Sequence, residues 1–511
     1  MKRIRKKEEK PGSIWNPVNL QKEVHAFGYD FYWKSYLLSI LGVMLLITVV
    51  GIFFKLKAGY VILVFLAALF ALPLLIVNMY RRMYEQKRFA DVTDYMEQVL
   101  YSFEKEHKIL RALKECKDAI PDGRMKETIS EAVDYIEAGS IKDQDKSIYE
   151  EAFSIIEDRY SCSRLHTVHE LLISAEERGG NMEQSSELLI EDIEVWKRQV
   201  YGLQLNKKSC HVDTILSIVM AAAVCGIGMY IMDSVKNMTN AGKDVSIFAL
   251  PAIQISSFAF ILLCLYAFYK SSKKLASDWM VQDSFNRKTL QSAYEYVRDY
   301  DAENEKKKSI KYMVPFFLLS AVLFAAGHSM FAVLFLIIGV FLAVQHRVSY
   351  NMFRKEVEKA LYEIFSEWMM DMSLLLQTNN VQVSIAKSIP RADDLLKEEL
   401  ELLSERIADE PYNVRSYTRF CEKFNIPEIG TCMKMLYSIS EAGTGDAAMQ
   451  IANLVSQVHK MQEKEAEIRN DDIGFKMRMI CFYPVAGTSG KLLVDMLMGT
   501  LLIFQLFSTS V

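Results

Sequence analysis

Three runs in this 511-residue sequence, 35–54, 59–79 and 248–269, contain no charged residue. A bilayer core about 30 Å thick needs about 20 apolar residues as helix, because backbone polar groups must be bonded within the segment there. The first two runs are joined by a five-residue turn at 54–58. A fourth run, 215–232, pairs with 248–269 through the polar loop 233–246. The first run is too long for the apolar part of a cleavable signal, and a second span follows at once. The chain therefore reads as an all-α, polytopic membrane protein. Its overall averages, 51% hydrophobic and 24% charged, hide this because the charge is concentrated in 81–212 and 347–476. A net charge of −4 argues against a dedicated nucleic-acid binder, which needs a basic stripe. The aromatic and aliphatic content excludes disorder. Eight scattered cysteines exclude a small disulfide-stapled secreted fold.

Basic residues set the expected orientation. Lys2, Arg3, Arg5, Lys6 and Lys7 open the chain, and Arg81, Arg82, Lys87 and Arg88 follow the second span. Lys207 and Lys208 precede the third, and Lys270, Lys273 and Lys274 follow the fourth. Basic flanks stay on the cytoplasmic side, which places the N-terminus and 81–212 inside. The stretch 312–344 is too long for one span and short for two, but Lys306, Lys307, Lys308 and Lys311 precede it and Arg347, Arg354 and Lys355 follow it. Basic flanks on both sides predict a hairpin turning at Gly327, His328 and Ser329, so 347–476 also lies inside. The C-terminal apolar stretch, interrupted at residues 487–491, reads as a short hairpin, bringing the total to about eight spans. An interfacial helix followed by one span is the other reading.

Both charged parts carry helical periodicity. Phe89, Val92, Met96, Val99, Leu100 and Phe103 mark one face. Leu361, Ile364, Phe365, Trp368, Met372, Leu375 and Leu376 mark another. The pattern of residues 170–179 matches that of 434–443, which sets Glu177 on Glu441 and Gly179 on Gly443. In each place a long amphipathic helix follows and runs into the next membrane segment. The expected organisation is therefore a basic N-terminus (1–34), a transmembrane hairpin (35–80), a helical domain (81–212) and a second hairpin (213–270). A charged linker (271–311) leads to a third hairpin (312–345), a second helical domain (346–476) and a C-terminal membrane segment (477–511). The repeated order predicts an internal duplication built on pseudo-symmetry.

The sequence offers no catalytic constellation. Residues 487–492 resemble part of a phosphate-binding loop, but Val485 and Leu492 stand where that loop needs Gly and Ser or Thr. A membrane turn is the better reading. Cys162, His166 and His169 have spacing that puts them on one helix face, yet no close ligand pairs or Cys-x-x-Cys occur, so a polar stripe between helices is favoured over a metal site. No cysteine lies in a predicted external loop, in keeping with reduced thiols. Asp495, a lone acid in an apolar run, is either functional by default or interfacial. Neither repeated intramembrane acids nor paired broken helices mark a transport path. The expectation is a protein that is not an enzyme, with no cofactor and no metal.

The order of elements resembles the inner-membrane platform proteins of type II secretion systems and type IV pili (the F-type family), especially TadB and TadC of Tad (Flp) pili. The resemblance rests on the Glu-x-Gly turns at 177–179 and 441–443. It also rests on Leu-Leu-Leu-Gln-Thr-Asn-Asn-Val-Gln-Val-Ser-Ile-Ala-Lys-Ser at 374–388 and on Tyr-Thr-Arg-Phe-Cys-Glu-Lys-Phe-Asn-Ile-Pro-Glu at 417–428. It covers roughly residues 36–507, with a TadB-like and a TadC-like half, normally separate proteins, in one chain. The resemblance implies a multi-pass protein of the bacterial cytoplasmic membrane that is not catalytic and is a homo-oligomeric anchor for a cytoplasmic assembly ATPase. It also implies recruitment of pilin or pseudopilin subunits in the bilayer. Glu177, Gly179, Gly180, Glu441 and Gly443 are then the candidate partner contacts. A membrane-bound regulatory or sensory scaffold is the alternative function, and a transporter is third.

Overall fold

The computed structural model describes residues 15, 17–139, 147–178, 183–238, 247–277, 279–280, 287–326, 329–377, 379–411, 413–424, 426–441 and 447–509. Every regular element among them is helical. Short α1 (Pro17–Ala26) leads to the hairpin of α2 (Trp33–Phe53) and α3 (Ala58–Glu106). The turn between α2 and α3 is made by Lys55, which takes φ of 49°. α3 has 49 residues, so at about 1.5 Å per residue it extends roughly 75 Å, more than twice the bilayer core. It ends where His107 adopts the left-handed conformation.

Four shorter helices follow: α4 (Ile109–Ala119), α5 (Arg124–Ala138), α6 (Ile148–Arg159) and α7 (Ser163–Arg178). Ser147 begins α6 with a capping box, its hydroxyl accepting from the Glu150 amide while the Glu150 carboxylate accepts from the Ser147 amide. α8 (Glu183–Met238) then runs 56 residues back into the apolar layer, and α9 (Pro251–Leu275) returns from it.

Nine further α-helices follow among the described residues. α10 (Arg287–Arg298) precedes a hairpin of α11 (Ala302–Ala325) and α12 (Ser329–Leu376). Then come α13 (Val381–Ser388), α14 (Asp394–Asp409), α15 (Val414–Thr418) and α16 (Pro427–Glu441). The long return is divided into α17 (Ala447–Arg478) and α18 (Phe482–Thr509) by a 3-10 turn at Met479–Cys481. Asn380, Asp393 and Asn413 cap α13, α14 and α15 with their side-chain oxygens.

Among the described residues, six helices are long and apolar enough to cross a membrane: α2, α3, α8, α9, α11 and α12. Much of their apolar surface is exposed, as at Leu37, Leu45, Ile52, Leu318 and Phe341, which is what contact with lipid tails requires. The expected third hairpin is present as α11 and α12; Gly327 and His328 lie outside the described residues. The expected C-terminal hairpin is not formed, and with it the count of about eight spans lapses, since 482–509 is one continuous helix. Glycine ends a helix only where the backbone must turn. Here a Cβ on Gly487 would sit 3.1 Å from Phe260 and 3.3 Å from Leu263, so the residue serves close packing of α18 on α9 instead.

Each helical domain has its own core. In the first, the entire face expected on α3 is buried, packed with Leu113, Ile129, Phe153, Leu165 and Trp196. In the second, Leu361, Phe365, Trp368, Met372 and Leu376 of α12 meet Leu400, Phe420, Met433 and Leu454. The stretch expected as a charged linker is partly structural: Leu290, Ala293, Tyr294 and Val297 recur every three or four residues on α10 and join the second core. Likewise Leu20 and Val24 of α1, in the expected basic N-terminus, pack against Val77 of α3.

Candidate functional site

The two helical domains meet along α8 and α17. Leu188, Met370 and Val455 form a small apolar contact between them, and polar groups surround it. Arg164 Nε donates to Asp192 Oδ2 at 2.8 Å, and Gln462 Nε2 donates to Asp192 Oδ1 at 2.9 Å. The Asp192 carboxylate is thus shared by both domains, with its side chain only 6% exposed. Burial opposes the charge on Arg164, but Asp192 and Glu367 outweigh it and hold the guanidinium protonated. Arg391 Nη1 reaches Glu170 Oε2 at 2.8 Å, an ion pair between the domains.

These groups line a cavity of about 330 Å³ whose walls also include Ile364, Trp368 and Asp371. Asp371 makes no hydrogen bond or ion pair with the described residues. Burial, reinforced by Glu170 and Glu367 against Arg391 and His166, pushes its carboxyl up to about 7. It therefore changes charge in the neutral range.

The histidines singled out in the sequence border this interface. His169 is buried, stacked on Phe153 with ring centres 3.9 Å apart, and contacts Tyr95 Oη at 3.0 Å and Glu157 at 2.7 Å. His166 lies between Glu157 at 3.1 Å and Glu170 at 3.3 Å. Hydrogen bonds to Glu157 and then Glu170 raise His166 to about 10. Burial of Glu157 works the other way, but its bonds to the two histidines hold it at about 2. Burial lowers His169 despite Glu157. No group of three His, Cys, Asp or Glu side chains among the described residues is arranged to hold a metal ion. The stripe is an electrostatic latch between α6 and α7.

Of the candidate contact residues, Glu177 and Glu441 are exposed, near or at the ends of α7 and α16. Neither pairs with another described residue, and each stands on its own domain. Gly179, Gly180 and Gly443 lie outside the described residues. The segment 374–388 contributes the end of α12 and all of α13, where Trp368 Nε1 donates to Ser388 Oγ at 2.9 Å.

Asp495 is not a lone acid. Lys491 Nζ sits 2.5 Å from Asp495 Oδ2, and both side chains are essentially inaccessible, at 0% and 1%. The ammonium also lies 5.7 Å from the centre of the Phe54 ring. Residues 487–492 form helix in α18, so they neither turn nor cradle a phosphate. The spacing of four residues, which puts both side chains on one helix face, is the sequence signal for this pair. The Asp192 hub, Asp371 and Arg391 were not singled out from the sequence. No family model matches the chain, and neither the curated proteins nor the solved structures contain a match.

Proposed function

We propose that the chain is a non-enzymatic platform in a bacterial cytoplasmic membrane that couples a cytoplasmic assembly ATPase to pilin extraction and polymerisation, in a type IV or Tad-like pilus or a type II secretion machine. The carrying observation is mechanical continuity. α3, α8 and α12 each pass from the apolar layer into a helical domain without a loop, so a load on the domain reaches the membrane through backbone hydrogen bonds. This suits a protein that transmits displacement, and the order of elements read from the sequence resembles that of the F-type platform family. The N-terminus and both domains are cytoplasmic on this reading, because basic residues flank the spans.

The reading includes an internal duplication. α7 and α8 begin at Ser163 and Glu183, and α16 and α17 begin at Pro427 and Ala447, a common offset of 264 positions. Residues at that offset touch: Cys210 Sγ lies 4.0 Å from Gly474 O, and Ser217 Oγ donates to Cys481 O at 3.0 Å. Contacts between equivalent positions are what a pseudo-twofold axis along the two helices produces.

The ATPase is expected to dock at the domain surfaces bearing Glu177 and Glu441. Its recovery with the membrane-extracted chain should fall for Glu177→Lys and Glu441→Lys, and most for the double variant, at equal membrane abundance. Undiminished recovery in all three removes these positions from the docking surface. A regulatory or sensory scaffold is favoured instead by one observation, the neutral-range carboxyl of Asp371 between the domains. That reading prevails if no ATPase co-purifies and the domain contact changes with pH.

A further inference from the structure

Where α3 and α9 leave the apolar layer, a cavity of about 780 Å³ lies between them. Among the described residues its wall carries Arg81, Arg88, Lys270, Lys273 and Lys274 against one acid, Glu85. Glu85 is already 3.9 Å from Arg88, and Lys270 donates to Tyr483 Oη at 3.0 Å. Arg81, Lys273 and Lys274 have no hydrogen-bond or ion-pair partner among the described residues.

Three residues of the lining also carry a buried donor with no partner among the described residues: Asn78 Nδ2, Arg88 Nε and Trp279 Nε1. Asn78 is 8% exposed and Trp279 only 4%. Buried N–H groups are nearly always satisfied, so the lining residues carry an excess of donors over acceptors. All three donate and the net charge around them is positive. The acceptor that matches is an oxyanion with several oxygens, such as a phosphate group.

We propose that this cavity binds the phosphate of an anionic phospholipid headgroup in the leaflet where α3 and α9 emerge. Its level favours a lipid over a free ion. Tyr266 and Tyr269 line it, and aromatic side chains of this kind mark the headgroup zone. Met79, next to Asn78, and Leu263, one turn before Tyr266, expose apolar side chains on the membrane side of the lining. A headgroup seated here places its acyl chains against that surface. Basic pockets between spans at the cytoplasmic boundary are suited to such headgroups because the anionic surface attracts them and the low dielectric strengthens each contact.

The ligand is independent of the assembly role proposed above. It is tested on the full chain in neutral detergent by native mass spectrometry. Phosphatidylglycerol, phosphatidylcholine and inorganic phosphate are added separately and in competition. Phosphatidylglycerol should be retained and phosphatidylcholine lost. Lys273→Gln with Lys274→Gln should lower phosphatidylglycerol retention about fivefold, and Arg81→Gln about threefold, as charge-assisted contacts are lost. Lys306→Gln with Lys307→Gln, equally basic but on α11 outside the cavity, should change nothing. Equal losses in this control and in the cavity variants overturn the site, as does equal retention of the two lipids. Displacement of the lipid by millimolar phosphate overturns the lipid as ligand in favour of the free ion. Arg81 is exposed, so its variant keeps the test valid if the lysine pair proves necessary for folding.

Discussion

The side-chain amide of Asn206 donates to the backbone carbonyl of Asn470 at 3.2 Å, and the two residues stand 264 positions apart. The same interval separates Glu170 from Lys434 in the repeated sequence pattern. One turn further on, Cys210 meets Gly474. α8 and α17 thus lie side by side with residues 264 positions apart facing each other, and this contact joins the two halves of the chain.

That juxtaposition predicts a covalent link. With Cys210 as the sole native cysteine retained, Gly474→Cys should form an intramolecular disulfide on mild oxidation, seen as a mobility shift that reductant reverses. Disulfides require Cα atoms within about 7 Å, so Cys225 paired with the same Gly474→Cys should not react. Absence of the link in the first pair would separate α8 from α17.

The buried ion pair of α18 should behave asymmetrically. Lys491→Met or Asp495→Leu alone leaves an uncompensated charge and should cost about 3–5 kcal/mol. The double variant Lys491→Met with Asp495→Leu should recover most of that loss. Thermal denaturation in detergent and membrane abundance both report it, and additive losses in the double variant would contradict the pairing.

Asp371 gives a pH dependence whose sign is fixed by its position. Its folded carboxyl titrates at about 7, above the unfolded value. The protonated form is therefore favoured in the folded state, and stability falls as pH rises from the unfolded value through about 7. Removing the charge should help most where the penalty is complete. Asp371→Asn should stabilise the chain by roughly 2 kcal/mol near pH 8, after discounting for solvent in the cavity, and by less near pH 5. A melting temperature equal to that of the parent at both pH values would place the carboxylate in contact with water or a cation.

Topology is open to direct measurement. Reporter fusions after Tyr101, Glu191, Glu405 and Lys464 should all report the cytoplasm, and one near Ala241 the outside, because basic residues flank the spans. An external report at Glu405 alone would mean that α11 and α12 do not both cross, and the proposed pseudo-symmetric platform would fall.

The elements governed by local chemistry were legible in the sequence. The buried faces of α3 and α12 follow from apolar spacing, and the hairpin of α11 and α12 follows from basic residues on both flanks even though each apolar half is short. The C-terminal turn failed because glycine has two uses. At Gly487 the absent Cβ admits Phe260 and Leu263 of a neighbouring helix, information that sits over two hundred residues away. The inter-domain pairs were hidden for the same reason. Nothing near Glu170 specifies Arg391, and nothing near Asp192 specifies Gln462. Glu177 and Glu441 could be named because their local pattern repeats, but repetition cannot say what they touch.

Pro73 lies inside α3, in the part that crosses the apolar layer. A proline there cannot donate to the carbonyl four residues back and pushes against it, leaving one soft joint in an otherwise stiff rod. Close by, the Trp15 indole donates to the Phe70 carbonyl at 3.1 Å, so the N-terminal segment grips the rod beside its joint. The far end of α3, at Glu106, is 33 residues beyond Pro73, a lever arm of about 50 Å. A tilt of about 5° at this pivot swings the first helical domain by about 4 Å. The pivot is within the bilayer, so the swing is accompanied by rotation of the α3 segment among its lipid neighbours. Motion of the domain and rearrangement of the membrane-embedded helices are then a single degree of freedom.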